Sequence, residues 1–259
     1  MSANGRSRTC ESRIQQNLYF PLKPAGAEAM WDYIIFIDTE TTGIPLDWKA
    51  PYSDGRSWPY SVQIAWLLYT KEGKELKSED HYIYEPDIEV SAESFKIHGI
   101  TKEFLQENGK DRKAVLSLLA QDLEKYKPLV VGHFMQLDYH MLGVGFHRAN
   151  LPNPLPQLTT FCTMDVTAGF LLPPRKNFLR LGELYQHLFQ QPLELQHNAY
   201  WDARATAACF FRLQELGEIS AESILEAERP KPKKPFNLTR NLVALLTLFI
   251  LVCLLILWL

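Results

Sequence analysis

The chain has 259 residues, of which 46% are hydrophobic and 22% are charged, and its formal net charge is −3. This length accommodates one sizeable domain with appendages, and the composition is that of a globular protein. Residues 31–228 contain 18 Lys and Arg against 28 Asp and Glu, which excludes a broad basic face for nucleic acid. An anionic ligand would need a local positive patch or bound metal cations.

Residues 1–30 are polar and lack the apolar core of a signal peptide, and we expect them to form a disordered arm. Within this arm, Gln15–Phe20 (QQNLYF) faintly resembles the glutamine-and-aromatic peptides that dock on sliding clamps. A chance match within a polar tail is the favoured interpretation, so clamp binding is only weakly suggested.

The next two hundred residues carry the patterns of strands and helices. Strands are predicted at Tyr33–Thr39, Val62–Thr70, His81–Tyr84 and Leu129–Gly132. Helices are predicted from Ser91, at Lys102–Asn108, at Arg112–Tyr126, at Gln136–Ala149, near Phe178–Phe189 and at Tyr200–Leu216. Consecutive strands followed by alternating strands and helices predict an α/β domain with a mixed sheet and helices on its faces.

Two carboxylates stand at the end of the first predicted strand. Residues two apart on a strand share a face, so Asp38 and Glu40 project together. Each would raise the pKa of the other unless a cation lay between them, and Mg²⁺ or Mn²⁺ suits such oxygen ligands. Surface turns also carry such pairs, so this pair alone leaves a metal site and an ordinary turn equally open.

Two further acids begin helices. Asp138 follows the strand at 129–132, where an acid also stabilises a helix N-terminus through the helix dipole. Over five residues of an α-helix the side-chain direction rotates by about 500°, which would put His197 and Asp202 on different faces of one helix. The two residues can share a site only if His197 lies on the loop before the helix. A loop histidine beside a metal-binding aspartate is placed to take a proton from water; a surface histidine next to a capping acid is the alternative.

In this order and spacing, the acids Asp38 and Glu40, then Asp138, then His197–Asp202 resemble the three motifs of the DEDDh exonucleases. That family includes the proofreading subunit of bacterial DNA polymerase III and the three-prime repair exonucleases. The resemblance covers about residues 32–215. The resemblance is specific, because the three motifs could be dismissed only if all of the alternatives held at once: an ordinary turn, a helix N-terminal acid, and a surface histidine next to a capping acid.

The resemblance extends to Ile97–Thr101, which is similar to the family's segment between its first two motifs and assigns His98 to substrate binding. One residue departs from the family pattern. Phe134 stands where many members carry Asn, and because that Asn is not a metal ligand, the departure bears on substrate contacts rather than on catalysis.

The resemblance implies a ribonuclease H-like fold and phosphodiester hydrolysis with two Mg²⁺ or Mn²⁺ ions. It makes Asp38, Glu40 and Asp202 metal ligands, and gives Asp138 to the second metal position. His197 would be the general base that activates water, a role that histidine side chains commonly take.

The resemblance also assigns the turn after the first motif to the 3′-terminal nucleotide, through Thr41, Thr42, Gly43 and Ile44. For Ile44, simple loop packing is an equal alternative. The following segment, residues 48–60, interleaves aromatic residues with Lys49 and Arg56. It could guide a single strand by stacking or could be a loop packed on itself.

These features predict a metal-dependent 3′→5′ exonuclease acting on the 3′ ends of single-stranded DNA. An exoribonuclease for short RNA is an alternative, because no residue recognisably senses the 2′-hydroxyl. A membrane-tethered, non-catalytic interaction module is an alternative of another class. All five predicted catalytic side chains are present, which argues against the second alternative.

Residues 242–259 (LVALLTLFILVCLLILWL) carry no charge. As an α-helix they would extend about 27 Å, close to the hydrocarbon thickness of a bilayer. A buried core helix is the alternative, but such a helix usually keeps a polar edge. The spacer at 229–241 is basic and proline-rich, as is typical of a cytoplasmic flank. We therefore predict a single-pass transmembrane tail anchor that holds an exonuclease domain, residues 31–228, on the cytoplasmic side.

Two lysines in the middle of the predicted span should release the protein from membranes. Leu248→Lys with Leu251→Lys should cost about 5–7 kcal/mol of insertion free energy. The unchanged chain should sediment with membranes and resist washing with high salt or alkaline carbonate. Its extraction by salt alone would contradict the prediction, because salt screens only the attraction of the basic spacer to the surface.

Overall fold

The computed structural model describes residues 30–86, 88–170 and 178–228. Strands β1 to β5 span Tyr33–Thr41, Ser61–Thr70, Glu75–Tyr82, Leu129–Gly132 and Thr160–Cys162. Helices α1 to α4 span Ala92–His98, Lys102–Asn108, Arg112–Tyr126 and Met135–Arg148. Helices α5 to α8 span Thr163–Val166, Leu181–Phe189, Ala199–Glu215 and Ala221–Glu228, and 3₁₀ turns lie at Leu155–Gln157 and Thr167–Phe170.

The described strands form one mixed sheet in the order β3-β2-β1-β4-β5. β2 pairs antiparallel with both β1 and β3, whereas β4 runs parallel to both β1 and β5. Helices pack on both faces of this sheet. The mixed α/β sheet with flanking helices confirms that part of the predicted fold class.

β1 lies at the centre of the sheet and supplies apolar side chains to both faces. Ile34 and Phe36 pack with Phe210 of α7 on one face. Ile35 and Ile37 pack on the other face, in a cluster that contains residues of α3 and α4. Each fully buried side chain of this kind contributes about 1.5–3 kcal/mol, so the position of β1 is strongly fixed.

Several predicted boundaries agree with the structure, namely those of α2, α3 and β4. The helix starts are set by local caps. The side chains of Ser91, Thr101 and Asp111 accept the backbone N–H three residues later, at the starts of α1, α2 and α3. Because a cap is a contact between near neighbours in the chain, its position is readable from sequence.

The predicted third strand, His81–Tyr84, is wrong in its extent, because β3 begins at Glu75 and ends at Tyr82. β3 is an edge strand that alternates between exposed and more buried residues, and its many charged side chains hid the strand pattern. β5 and α5 were not predicted, because three and four residues are too few to show a period. Helix α8 was also missed.

Among the residues that the structure describes, no helix is long and apolar enough to cross a membrane. The predicted span at 242–259, the spacer at 229–241 and the arm with Gln15–Phe20 lie outside the described residues. They remain predictions from sequence.

Candidate active site

The end of β1 brings three carboxylates together. Asp38 and Glu40 continue the face of β1 that carries Phe36 and packs against α7, because side chains alternate along a strand. Asp202 lies in the first turn of α7. One oxygen from each of the three carboxylates lies within 4.8 Å of the other two. Oxygen ligands grouped in this way suit a hard divalent cation.

The two oxygens of Asp202 differ in their partners. Oδ2 accepts the backbone N–H of His197 at 2.9 Å. Oδ1 is buried and has no hydrogen-bond partner among the described residues. A buried, unsatisfied polar atom costs about 1–3 kcal/mol, and more when it is charged. A cation ligated by this oxygen would remove that cost, so the residues present fit a divalent metal.

Asp138 lies beside this cluster, in the first turn of α4. Its Oδ1 accepts a hydrogen bond from Oγ1 of Thr39 at 2.8 Å. Asp138 is outside the group of three oxygens, but its charge helps to raise the pKa values of Asp38 and Glu40. The structure therefore places Asp138 next to the three predicted ligands.

Burial raises the pKa values of all four acids, and repulsion between the acids raises those of Asp38, Glu40 and Asp138 further. The pKa of Asp38 lies well above its usual range because the group is buried and because the other three acids repel its charge. Burial, then the charges of Asp202 and Asp138, raises the pKa of Glu40 to about 8. Burial also raises the pKa values of Asp138 and Asp202 to about 7. In the absence of a cation, these carboxyl groups retain protons near neutral pH.

The loop before α7 holds the predicted general base. His197 is exposed and has a left-handed backbone, with φ of 64°, immediately before Asn198, which caps α7 by accepting the N–H of Trp201. The histidine thus lies on the loop and Asp202 in the first helical turn, which is the arrangement that a shared site requires. The contact between these two residues is made by the backbone N–H of His197.

His98 supports the turn after the first motif. Its Nδ1 accepts the N–H of Ile100 at 3.0 Å, so Nε2 carries the proton and donates to the carbonyl of Thr41 at 3.2 Å. Burial lowers the pKa of His98, and the charge of His197 lowers it further. His98 therefore holds the turn by its contact with the backbone of Thr41.

The predicted nucleotide-binding turn is fixed by its own hydrogen bonds. Oγ1 of Thr41 donates to the carbonyl of Gly43 at 2.7 Å. The N–H of Thr42 donates to the carbonyl of Tyr60 at 2.9 Å, and Oγ1 of Thr42 accepts the N–H of Tyr60 at 3.0 Å. Ile44 is 70% exposed, so it is not used for packing this loop. It presents an apolar surface to solvent at the edge of the site.

The aromatic segment at 48–60 is packed on itself and on α4. Trp58 is 2% exposed, stacks on His140 with ring centroids 5.3 Å apart, and donates from Nε1 to the carbonyls of residues 50 and 51. The rings of Trp48 and Phe134 pack together with their centroids 6.0 Å apart, and Phe134 is the residue that departs from the family pattern. The packed-loop interpretation of these aromatics is therefore the one observed. Phe134 serves in that packing.

Sequence reasoning overlooked Gln63, which positions the start of α7. It is fully buried on β2 and lies opposite Glu40 in the sheet register. Its Oε1 accepts the N–H of Ala199 at 3.2 Å, and its Nε2 donates to Asp80 at 2.8 Å. A lone amide within an otherwise apolar strand was the available signal, because a buried polar group needs partners.

The sequence model of the RNase_T family, described as exonuclease, matches residues 35–210. Over 213 residues the chain is 30% identical to the PolC-type DNA polymerase III of Thermotoga maritima. That alignment covers 79% of this chain but 14% of the polymerase, so the chain corresponds to a small part of that relative. The predicted resemblance to these exonucleases is confirmed.

Solved structures with a similar fold are also nucleases. E. coli exonuclease I in complex with a dT13 oligonucleotide has a TM-score of 0.58 at 18% identity, over 72% of this chain and 43% of that one. The nuclease domain of 3′hExo, a DEDDh family member bound to rAMP, has a TM-score of 0.56 at 16% identity. That match covers 75% of this chain and 98% of the 3′hExo domain. Cell-death related nuclease 4 has a TM-score of 0.56 at 15% identity, over 72% of this chain and 65% of the nuclease. At these identities the likeness shows the fold alone.

The raised pKa values predict how stability depends on pH. Between about pH 4 and pH 8 the folded, metal-free protein binds more protons than the unfolded chain, so its free energy of unfolding falls as pH rises. The melting temperature in EDTA should therefore fall over this range, and Mg²⁺ should restore it most strongly near the upper end. Scanning calorimetry at several pH values measures both effects.

Substitution provides the control for this pH dependence. Glu40→Gln removes one repelling charge, so it should flatten the fall and reduce the gain from Mg²⁺. Glu93→Gln removes a charge from an exposed position of α1 and should change neither. Equal pH dependence in wild type and Glu40→Gln would contradict the placement of Glu40 in the cluster.

Proposed function

Because the chain belongs to the RNase_T exonuclease family, we propose that it hydrolyses the terminal phosphodiester bond at the 3′ ends of single-stranded DNA. The observation that carries this proposal is the group of three carboxylates within 4.8 Å, one of which has a buried oxygen without a partner. Buried carboxylates this close together repel one another, which destabilises the folded domain when no cation is bound. It is useful to an enzyme that recruits cations, and strongly shifted carboxyl pKa values are typical of functional sites.

Asp38, Glu40 and Asp202 would hold a divalent ion, with Asp138 completing a second position. When bound, two such ions supply charge that stabilises both the attacking and the leaving oxygen of a phosphodiester displacement. The chain's own contribution is to keep the ligands in place. Thr39 fixes Asp138 through its hydroxyl, and the backbone at His197 fixes Asp202.

His197 would act as the general base. The residue is exposed on the loop before α7, and its backbone N–H is bonded to Asp202, which supports this role. A histidine takes up a proton readily near neutral pH. Because Asp202 is bonded to the backbone of His197, the helix start and the base are positioned together.

The turn at residues 41–44 would receive the last nucleotide of the strand. Its backbone is held by His98 and by Tyr60, so its shape does not depend on the ligand. The exposed side chain of Ile44 offers an apolar surface to a base. A preformed turn of this kind reduces the entropy that binding removes.

DNA is the proposed substrate because exonuclease I, whose fold is similar, was solved with a DNA oligonucleotide. Short RNA is the second candidate, because 3′hExo bound to rAMP is similar over nearly its whole length. A non-catalytic module does not explain the cost of the carboxylate cluster. Membrane tethering by residues 242–259 is a separate proposal that rests on sequence.

The metal ligands should be essential for hydrolysis. Asp38→Asn or Asp202→Asn should lower the rate on 5′-labelled strands by several orders of magnitude, because each removes a ligand charge, while Glu93→Gln should not. Gel analysis with Mg²⁺ or Mn²⁺ should show wild-type shortening from the 3′ end, and DNA and RNA strands should be compared in parallel. Absence of wild-type hydrolysis with either ion would favour the non-catalytic module.

The histidine should affect turnover but not metal binding. His197→Ala should lower kcat by about 10²–10⁴, the usual contribution of a general base. The melting-temperature gain from Mg²⁺ should stay close to that of wild type. His187→Ala on α6 is the matched control. A large loss of metal binding in His197→Ala would make the residue a ligand and contradict its role as base.

A further inference from the structure

An open cleft of about 410 Å³ lies where the segment between β1 and β2 meets the start of α3 and the end of α4. Its walls combine two guanidinium groups with hydroxyl and imidazole groups, from Tyr52, Ser53, Tyr60, Arg112, His147 and Arg148. One acid, Glu85, also lines it. We name this feature the arginine cleft. On a domain in which acids outnumber bases, it is a local positive patch of the kind that an anionic ligand needs.

Both guanidinium groups are held against the ring of Tyr60. The guanidinium carbon of Arg148 lies 4.0 Å from the ring centroid, and that of Arg112 lies 5.4 Å from it. Arg148 also donates from Nη1 to the carbonyl of Pro59 at 2.6 Å and from Nη2 to that of Trp58 at 2.7 Å. Because these contacts already restrict the arginines, binding an anion would remove little further side-chain entropy.

Arg112 forms an ion pair with Glu85 at the wall of the cleft. Its Nη2 is buried and makes no hydrogen bond to any described residue, although it lies 3.4 Å from Oε1 of Glu85. Arg112 also borders a second cavity of about 10 Å³, where the buried Oγ of Ser61 is likewise without a described partner. A guanidinium group carries five N–H donors, so a ligand in the cleft would meet the donors of Arg112 that are not buried with Nη2.

The arginine cleft is joined to the candidate active site by the backbone and by α4. Tyr60 at its wall is hydrogen-bonded in both directions to Thr42 of the nucleotide-binding turn. Helix α4 carries Asp138 in its first turn and Arg148 at its end. They are ten positions apart in the helix, which corresponds to a rise of about 15 Å. Phosphates of a stacked strand advance by about 3.4 Å each, so about four nucleotides cover this separation.

We propose that the arginine cleft binds a backbone phosphate of the substrate strand, about four nucleotides from its 3′ end. This inference rests on the proposed nuclease function and extends it to the length of strand that is held. A guanidinium group presents paired N–H donors that match phosphate oxygens. The ring of Tyr60 already contacts both guanidinium groups, so a phosphate rather than a base is the ligand. The contact is independent of base sequence.

The test is the binding of 5′-labelled DNA strands to the full chain in EDTA, measured by fluorescence anisotropy. For a strand of about twelve nucleotides, a usual site size, Arg112→Gln should weaken the affinity. The expected loss is about tenfold, because a charge-assisted hydrogen bond is removed. The slope of log affinity against log salt should fall in magnitude by about 0.7, the value for one phosphate contact. For a dinucleotide, which does not reach the cleft, the difference should disappear.

Two further variants make this test decisive. Glu85→Gln removes the acid of the cleft, so it should strengthen binding of the long strand. Lys113→Gln removes a positive charge from the next residue of α3, which is exposed and does not line the cleft, so it should leave the affinity unchanged. Equal loss in Lys113→Gln and Arg112→Gln, or no loss in Arg112→Gln, overturns the proposal. If melting shows that Arg112→Gln is unfolded, the sign of the Glu85→Gln effect decides.

A free anion is the other source of a phosphate group. Calorimetric titration of the full chain with inorganic phosphate distinguishes it. Phosphate binding that is lost in Arg112→Gln, together with unchanged strand affinity, would assign the cleft to a small phosphorylated ligand and overturn its role in strand binding. The anisotropy experiment needs no turnover, so failure of the cleft and failure of the nuclease function give separate results.

Discussion

The apolar packing around β1 holds several negative charges together at the end of this strand. Asp38, Glu40 and Asp202 are close enough to repel one another, and burial strengthens that repulsion by excluding water. β1 tolerates it because apolar clusters on both faces of the sheet fix the strand, with Phe36 on one side and Ile37 on the other. The apolar packing of the domain therefore maintains an arrangement that would be unfavourable without cations.

The site is assembled from the ends of elements rather than from their middles. The start of α7 is held by its cap at Asn198 and by the buried amide of Gln63, and the start of α4 is tied to β1 through Thr39 and Asp138. Each contact fixes a carboxylate relative to the central strand. The acidity of the domain is compatible with an anionic substrate, because bound cations and a local patch such as the arginine cleft would supply the positive charge.

Much of the local arrangement was determined by the sequence itself. The alternation of side chains along a strand put Asp38 and Glu40 on one face, and the structure keeps them there. The rotation of an α-helix separated His197 from Asp202 and required the histidine to lie on the preceding loop, where it is found. Caps and apolar spacing set the ends of α2 and α3. These features depend on residues a few positions apart, so the chain encodes them directly.

Only the tertiary structure decided which distant segments meet. Asp202 reaches Asp38 because α7 packs on β1, and the start of α4 approaches because β4 pairs in parallel with β1. Tyr60, Arg112 and Arg148 come from a loop and two helix ends, and locally each arginine reads as an ordinary solvated charge. The family resemblance predicted the types of side chain in the candidate metal site, but no local pattern indicated the arginine cleft. Periodicity reports which face of one element is buried, whereas contacts between elements depend on how the complete sheet and its helices pack.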